Sequence, residues 1–173
     1  RDHSALVIVG AEIGTGRVAV VEVSAWRPMD GGKVDLRAVR EAVQAAWKKW
    51  GLVWCGYDPH QAALMAQDLE AAGVEMTEVS FVGQNLDLMA STLMQSFRSR
   101  TIDLYRDPDL LDDLGRLTIE ERRFGYKLTS VSDESGHADR AIALAIALPV
   151  MSELANLPSG PEEIDSMPRR IVA

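Results

Sequence analysis

The apolar run of residues 141–151 constrains the fold more than any other feature of this sequence. The run is rich in alanine and too short to span a bilayer, so it predicts a helix packed inside a globular domain. This helix is expected over residues 138–154, and Pro149 should kink it or end it early. Asp139 lies in its first turn, which places a carboxylate at the mouth of a packed helix.

Strand patterns open the chain. Two runs rich in β-branched residues, Ser4–Glu12 and Arg17–Trp26, flank a glycine-containing turn and predict an antiparallel hairpin. Apolar residues at three- and four-residue spacing then predict a helix over residues 35–50. The apolar run Leu52–Tyr57 predicts a central strand that is covered on both faces and ends at Asp58.

The rest of the chain continues this alternation. Helices are expected over residues 59–72, 85–99 and 107–117, short strands over residues 75–81 and 101–105, and a polar hairpin over residues 121–131. The order of elements predicts a mixed α/β layer fold in one domain, residues 1–155. Prolines among Ser, Gly and Glu predict a flexible C-terminal tail over residues 156–173.

Charge and cysteine content narrow the class of protein. The net charge of −8 argues against a surface that grips nucleic acid everywhere. It permits a local binding patch, because acids around a metal also count toward the total. The single cysteine, Cys55, cannot form an internal disulfide, and no signal-peptide pattern opens the sequence. These features favour a cytoplasmic protein without a membrane span.

Asp58 and Asp139 are the candidate metal ligands. Phosphodiester cleavage with two metal ions needs several fixed carboxylates around two divalent cations, and Mg²⁺ prefers oxygen ligands. Asp58 ends a central strand, where open α/β sheets place their ligands, and a packed helix holds Asp139. Asp133, Glu134 and His137 lie just before Asp139 and could supply an outer ligand or a proton carrier.

These residues also have purely structural interpretations. Asp58 precedes Pro59 and fits the N-cap of the next helix. Asp139 could simply complement the helix dipole, and His137 could be an exposed or capping residue. The sequence has no phosphate-binding loop with a Walker-type lysine, no Ser-His-Asp arrangement with recognisable flanks and no Cys-His zinc spacing.

Four segments follow one another in a familiar order: residues 1–10 (RDHSALVIVG), 57–62 (YDPHQA), 105–111 (YRDPDLL) and 137–140 (HADR). Together they resemble the motifs of the nuclease domain of tailed-phage terminase large subunits. The resemblance implies a ribonuclease H-like mixed sheet flanked by helices on both faces. It also implies a metal-dependent endonuclease that cuts concatemeric double-stranded DNA during viral genome packaging.

The resemblance assigns roles to particular residues. Asp58 and Asp139 correspond to metal ligands for two Mg²⁺ or Mn²⁺ ions, His137 to a catalytic residue, and Asp2 to a secondary metal candidate. The hairpin cations, which could contact the phosphate backbone or simply form a solvated surface, are Arg122, Arg123 and Lys127. The partners implied are double-stranded DNA, an N-terminal ATPase domain in the parent chain, and a portal and small-subunit packaging complex. The location implied is the cytoplasm of the infected bacterial host.

Two departures from the family pattern affect the predicted activity. The first catalytic aspartate of the family lies on a strand before the position of Asp2, and Ala138 stands where the family often has another acid. Either the sequence begins inside a longer protein, which we favour, or the nuclease is defective. The alternative functions are another ribonuclease H-like nuclease, of the resolvase or transposase type, and a non-catalytic packaging or docking module.

Overall fold

The computed structural model describes residues 3–28, 32–123, 125–130, 138–159 and 170–172. The helices of this part of the chain are α1 (Leu36–Trp50), α2 (Pro59–Ala71), α3 (Gly83–Arg98), α4 (Pro108–Gly115) and α5 (Asp139–Ala155). Its strands are β1 (Ser4–Glu12), β2 (Arg17–Trp26), β3 (Leu52–Tyr57), β4 (Met76–Glu78), β5 (Ile102–Asp103), β6 (Leu117–Arg122), β7 (Gly125–Ser130) and β8 (Arg170–Val172). None of the helices in these ranges is long and apolar enough to cross a membrane.

Six strands form one mixed sheet in the order β4-β3-β8-β1-β2-β5, and β6 pairs with β7 in a separate hairpin. β1 and β2 are antiparallel, with Ala11 opposite Val18, so the predicted N-terminal hairpin is confirmed. β8 lies between β1 and β3, antiparallel to the first and parallel to the second. The interior of the sheet is therefore completed by residues 170–172.

Helices cover both faces of the sheet. Val7 and Val9 of β1 belong to a core that includes buried residues of α3 and α5. Leu6 and Ile8 belong to a second core, with buried residues of α1 and α2. Because successive residues of a strand point to opposite faces, burial on both sides explains why β1 is continuously apolar here. The predicted mixed α/β architecture is confirmed.

α5 is buried along most of its length. Leu144, Leu148 and Met151 have no exposed surface, and the helix continues through Pro149 to Ala155. The expectation that Pro149 would end the helix early is therefore wrong. Packing of α5 against β1, α3 and α4 outweighs the local cost of a proline, since tertiary burial supplies most of a helix's stability.

Three other expectations need correction. α4 ends at Gly115 and β6 begins at Leu117, so the polar hairpin starts earlier than predicted. Residues 170–172 of the expected flexible tail form β8, because the neighbouring β1 and β3 supply hydrogen-bonding partners on both sides. β3 is interior in the sheet, but Val53 is 43% exposed, so the helices do not cover both of its faces completely.

Candidate metal site

The carboxyl end of β3 and the first turn of α5 line a single cleft of about 200 Å³. Its polar lining includes His3, Ser4, Asp58 and Asp139, and the remainder is largely apolar side chains from the flanking helices. The structure thus brings the two predicted acids to one cavity, although they are 81 positions apart in the sequence (139 minus 58). They are the acidic residues among the described side chains that line it.

Asp58 is placed by the junction between β3 and α2. At the carboxyl end of β3, the N–H of Val79, just after β4, donates a 2.9 Å hydrogen bond to the carbonyl of Tyr57. Pro59 then begins α2, where its fixed φ suits the first helical position. The strand therefore ends at Tyr57, and the next residue, Asp58, is exposed at the cleft.

Asp139 is the first residue of α5, and its side chain is 28% exposed. The Oδ2 atom of Asp139 is buried and lies 3.8 Å from Nδ1 of His3, the residue just before β1. Burial and the nearby charge of Arg27 lower the pKa of His3 below its ordinary value of 6.5. The lowered pKa favours the neutral form of the ring at pH 7, so this contact is not an ion pair.

Cys55 of β3, three residues before Asp58, also lines the cleft. Burial raises the pKa of its thiol to about 12, so the sulfur stays protonated at neutral pH. A protonated thiol is a poor metal ligand. Besides the imidazole of His3, the side-chain ligands that the cleft offers are carboxylate oxygens, which hard cations such as Mg²⁺ prefer.

The carboxylate pair fits a hydrated cation better than a closed protein cage. Within the ranges that the structure describes, no three Asp, Glu, His or Cys side chains are grouped so as to hold a metal ion by themselves. Mg²⁺ commonly keeps several waters and binds through one or two carboxylates, which this pair can supply. Asp2, Asp133, Glu134 and His137 lie outside the described residues, and their predicted roles stay predictions.

Comparison with solved structures identifies this architecture. The sequence matches no protein-family model and no curated protein. The large terminase of bacteriophage HK97 has a similar structure, with a TM-score of 0.70 and 18% identity over 86% of this chain and 36% of that chain. The chain has the fold of a large terminase nuclease domain.

Two nuclease domains solved on their own agree with this result. The large terminase nuclease from thermophilic phage G20c, with bound magnesium, has a TM-score of 0.61 and 19% identity over 85% of this chain and 74% of that one. The nuclease domain of Thermus phage P74-26 has a TM-score of 0.58 and 16% identity over 94% and 85%, respectively. The predicted resemblance is thus confirmed at the level of the fold. The chain spans 36% of the HK97 large terminase.

The predicted DNA-binding cations lie on the β6–β7 hairpin of this terminase-like fold. Arg122, Arg123 and Lys127 are exposed, and Arg122 pairs with Glu120. The hairpin packs against α3, and Asp87 accepts a 2.6 Å hydrogen bond from the N–H of Tyr126. None of the three cations lines the cleft. Their predicted role in DNA binding stays a prediction.

Sequence reasoning gave little weight to two features of the site. His3 lies beside Asp139, and only its position next to β1 hinted at this. Asp113 of α4 is a buried carboxylate that contacts the first turn of α5. Its contact joins residues 27 positions apart, so no local spacing in the sequence could have indicated it.

Proposed function

We propose that this chain is the metal-dependent DNA endonuclease domain of a viral genome-packaging terminase, with a ribonuclease H-like fold. The observation that carries the proposal is the placement of Asp58 and Asp139 on one cleft, at a strand end and a helix start. Both positions are held by regular structure, as a catalytic carboxylate requires. The similarity to large terminase nuclease domains supports the same conclusion.

Asp58 and Asp139 would hold the divalent cation, with Mg²⁺ or Mn²⁺ as the physiological candidates. Structures of the G20c nuclease contain magnesium, cobalt or zinc, which supports a divalent-metal site in this fold. Divalent cations held by these residues would supply activation of the attacking water and charge stabilisation of the departing oxygen. A second ion needs a further ligand, for which Asp2 and His137 are the candidates.

The substrate we propose is concatemeric double-stranded DNA. The exposed hairpin cations Arg122, Arg123 and Lys127 could contact the phosphate backbone, and Arg122 also pairs with Glu120. In the parent protein the domain would act with an N-terminal ATPase domain and with a portal and small-subunit complex. Its setting would be the cytoplasm of the infected host.

Charge removal at the two acids tests this function. Asp58→Asn and Asp139→Asn keep the size of the side chain but remove the charge that binds the cation. In the full parent protein, each variant should abolish Mg²⁺-dependent cleavage of linear DNA while its thermal unfolding stays cooperative. Asp103→Asn is the matched control, because Asp103 is exposed in a surface ion pair with Arg17 and does not line the cleft. Cleavage at the wild-type rate by either cleft variant would refute the assignment.

A non-catalytic packaging or docking module is the second candidate. It is favoured by Ala138, which stands where the resembled family often has a further acid. Mn²⁺ titration of the chain discriminates the two proposals. Saturable binding that is lost in Asp58→Asn supports the nuclease, and no binding together with retained DNA or portal association supports the docking module. Cleavage of branched DNA in preference to linear DNA would instead indicate a resolvase-type enzyme.

A further inference from the structure

The start of α5 lacks a cap of its own. Ala138 occupies the N-cap position and offers no side-chain acceptor to the N–H groups of the first turn. Ala138 is also fully buried, so water does not reach this residue. The N–H of Arg140 instead donates to Oδ2 of Asp113 at 3.0 Å. The carboxylate of Asp113 in α4 thus caps the N-terminus of α5, at the turn that carries Asp139.

The same carboxylate also holds the side chain of Arg140. Nη1 of Arg140 lies 3.4 Å from Oδ2 of Asp113, and Nη2 donates to Oδ2 of Asp109 at 2.8 Å. The side chains of Asp113 and Arg140 are only 7% and 15% exposed. Buried opposite charges that satisfy each other's hydrogen bonds are costly to separate, so this unit fixes the backbone on the C-terminal side of Asp139.

We propose that Asp113 and Arg140 are positioning residues for Asp139: together they hold the first turn of α5 so that the Asp139 carboxylate faces the cleft. This inference rests on the proposed function for its catalytic consequence, but not for its geometric content. Neither residue lines the cleft, and both act through Asp139. Outer-shell partners of metal ligands typically contribute about 10- to 100-fold to metal affinity or activity.

Two substitutions at Asp113 separate its contributions. Asp113→Ala removes both the cap and the counter-charge, and should weaken Mn²⁺ binding by about 10- to 100-fold. Asp113→Asn keeps an oxygen that can accept from the N–H of Arg140, and should lose less affinity than the alanine variant. If Asp113→Ala does not fold, Asp109→Asn provides a milder test, because Asp109 is 60% exposed and holds only the outer side of the guanidinium.

Loss of stability alone needs its own control. Leu93→Ala in α3 removes a buried side chain that does not line the cleft, so it destabilises the fold away from the site. At a temperature where every variant is folded, Leu93→Ala should bind Mn²⁺ as the wild type does. Equal loss of affinity in Leu93→Ala and Asp113→Ala would overturn the positioning role.

A readout that does not need metal separates this inference from the proposed function. The side-chain carboxyl ¹³C resonance of Asp139 should be single in the wild type, and shifted or broadened in Asp113→Ala but not in Leu93→Ala. If the wild type binds no Mn²⁺, the proposed function fails, and the resonance still decides whether Asp113 positions Asp139. An unchanged Asp139 resonance in Asp113→Ala would overturn the inference whatever the metal data show.

Discussion

Gly56 sets the closest approach between β3 and α5, the two elements that carry the acids. An ideal Cβ atom at this position would lie 2.1 Å from Cη2 of Trp54 and 2.8 Å from Cγ2 of Ile146 in α5. Carbon atoms in favourable contact are about 3.5–4.0 Å apart, so the Trp54 ring and α5 must both move to admit a methyl group. Gly56→Ala is therefore expected to separate the strand from the helix.

The magnitude follows from the cost of overpacking. Forcing one extra carbon into a packed core costs roughly 1–3 kcal/mol. For a domain of this size each kcal/mol lowers the melting temperature by roughly 2–4 °C, so Gly56→Ala should melt roughly 2–12 °C below the wild type. Because α5 carries Asp139, the displacement should also weaken Mn²⁺ binding.

Gly115→Ala is the matched control for this experiment. Gly115 ends α4, and nothing lies within 4 Å of the position of its Cβ atom. The alanine is expected to be neutral or to stabilise the fold by about 0.4–1 kcal/mol, since it lowers the entropy of the unfolded chain. Differential scanning calorimetry of both variants checks the prediction. A melting temperature of Gly56→Ala equal to that of Gly115→Ala would show that β3 and α5 are not in close contact there.

Two further perturbations test β8 and His3. Val172→Pro removes a backbone N–H from β8, an interior strand in which Val172 lies opposite Ile8 of β1 and Cys55 of β3. It should lower the free energy of unfolding, measured with urea, by about 1–3 kcal/mol. Val172→Ala keeps the N–H and should not show this loss. Equal midpoints for the two variants would argue against β8. Burial and the charge of Arg27 lower the pKa of His3 in the folded state. Below pH 6.5 the unfolded state therefore binds the proton more readily than the folded state does. The free energy of unfolding should fall as the pH drops toward the folded-state pKa. His3→Asn should flatten this part of the stability profile, and an unchanged profile would contradict the lowered pKa of His3.

Elements with local signals were predictable from the sequence. The β1–β2 hairpin, α1 and β3 have clear periodicity or β-branched runs, and the structure confirms them. β8 was missed because three residues after a proline-rich stretch have no periodicity, and their strand exists only through pairing with β1 and β3. The sequence predicted a helix to residue 154 but left open whether Pro149 would kink it or end it early, because burial of the helix decides that outcome and propensity does not.

Some features of the candidate site could be predicted from the sequence, and others could not. A carboxylate at a strand end and another at a helix start could be recognised in the sequence, and the structure places both on one cleft. The contact of Asp113 with Arg140 could not be predicted, because it joins two helices whose packing no spacing rule specifies. The capping role of Asp113 also depends on Ala138, an uninformative residue until the helix start is located.

We propose that Asp58 and Asp139 bind the same divalent cation or cation pair. Crystals of the chain soaked in Mn²⁺ test it most directly, because anomalous scattering locates the ion without reference to activity. We expect an anomalous peak in the cleft at coordination distance from carboxylate oxygens of both residues, and no such peak in Asp58→Asn. The shared metal site would be refuted if the carboxylates of Asp58 and Asp139 faced different surfaces and no Mn²⁺ peak lay between them.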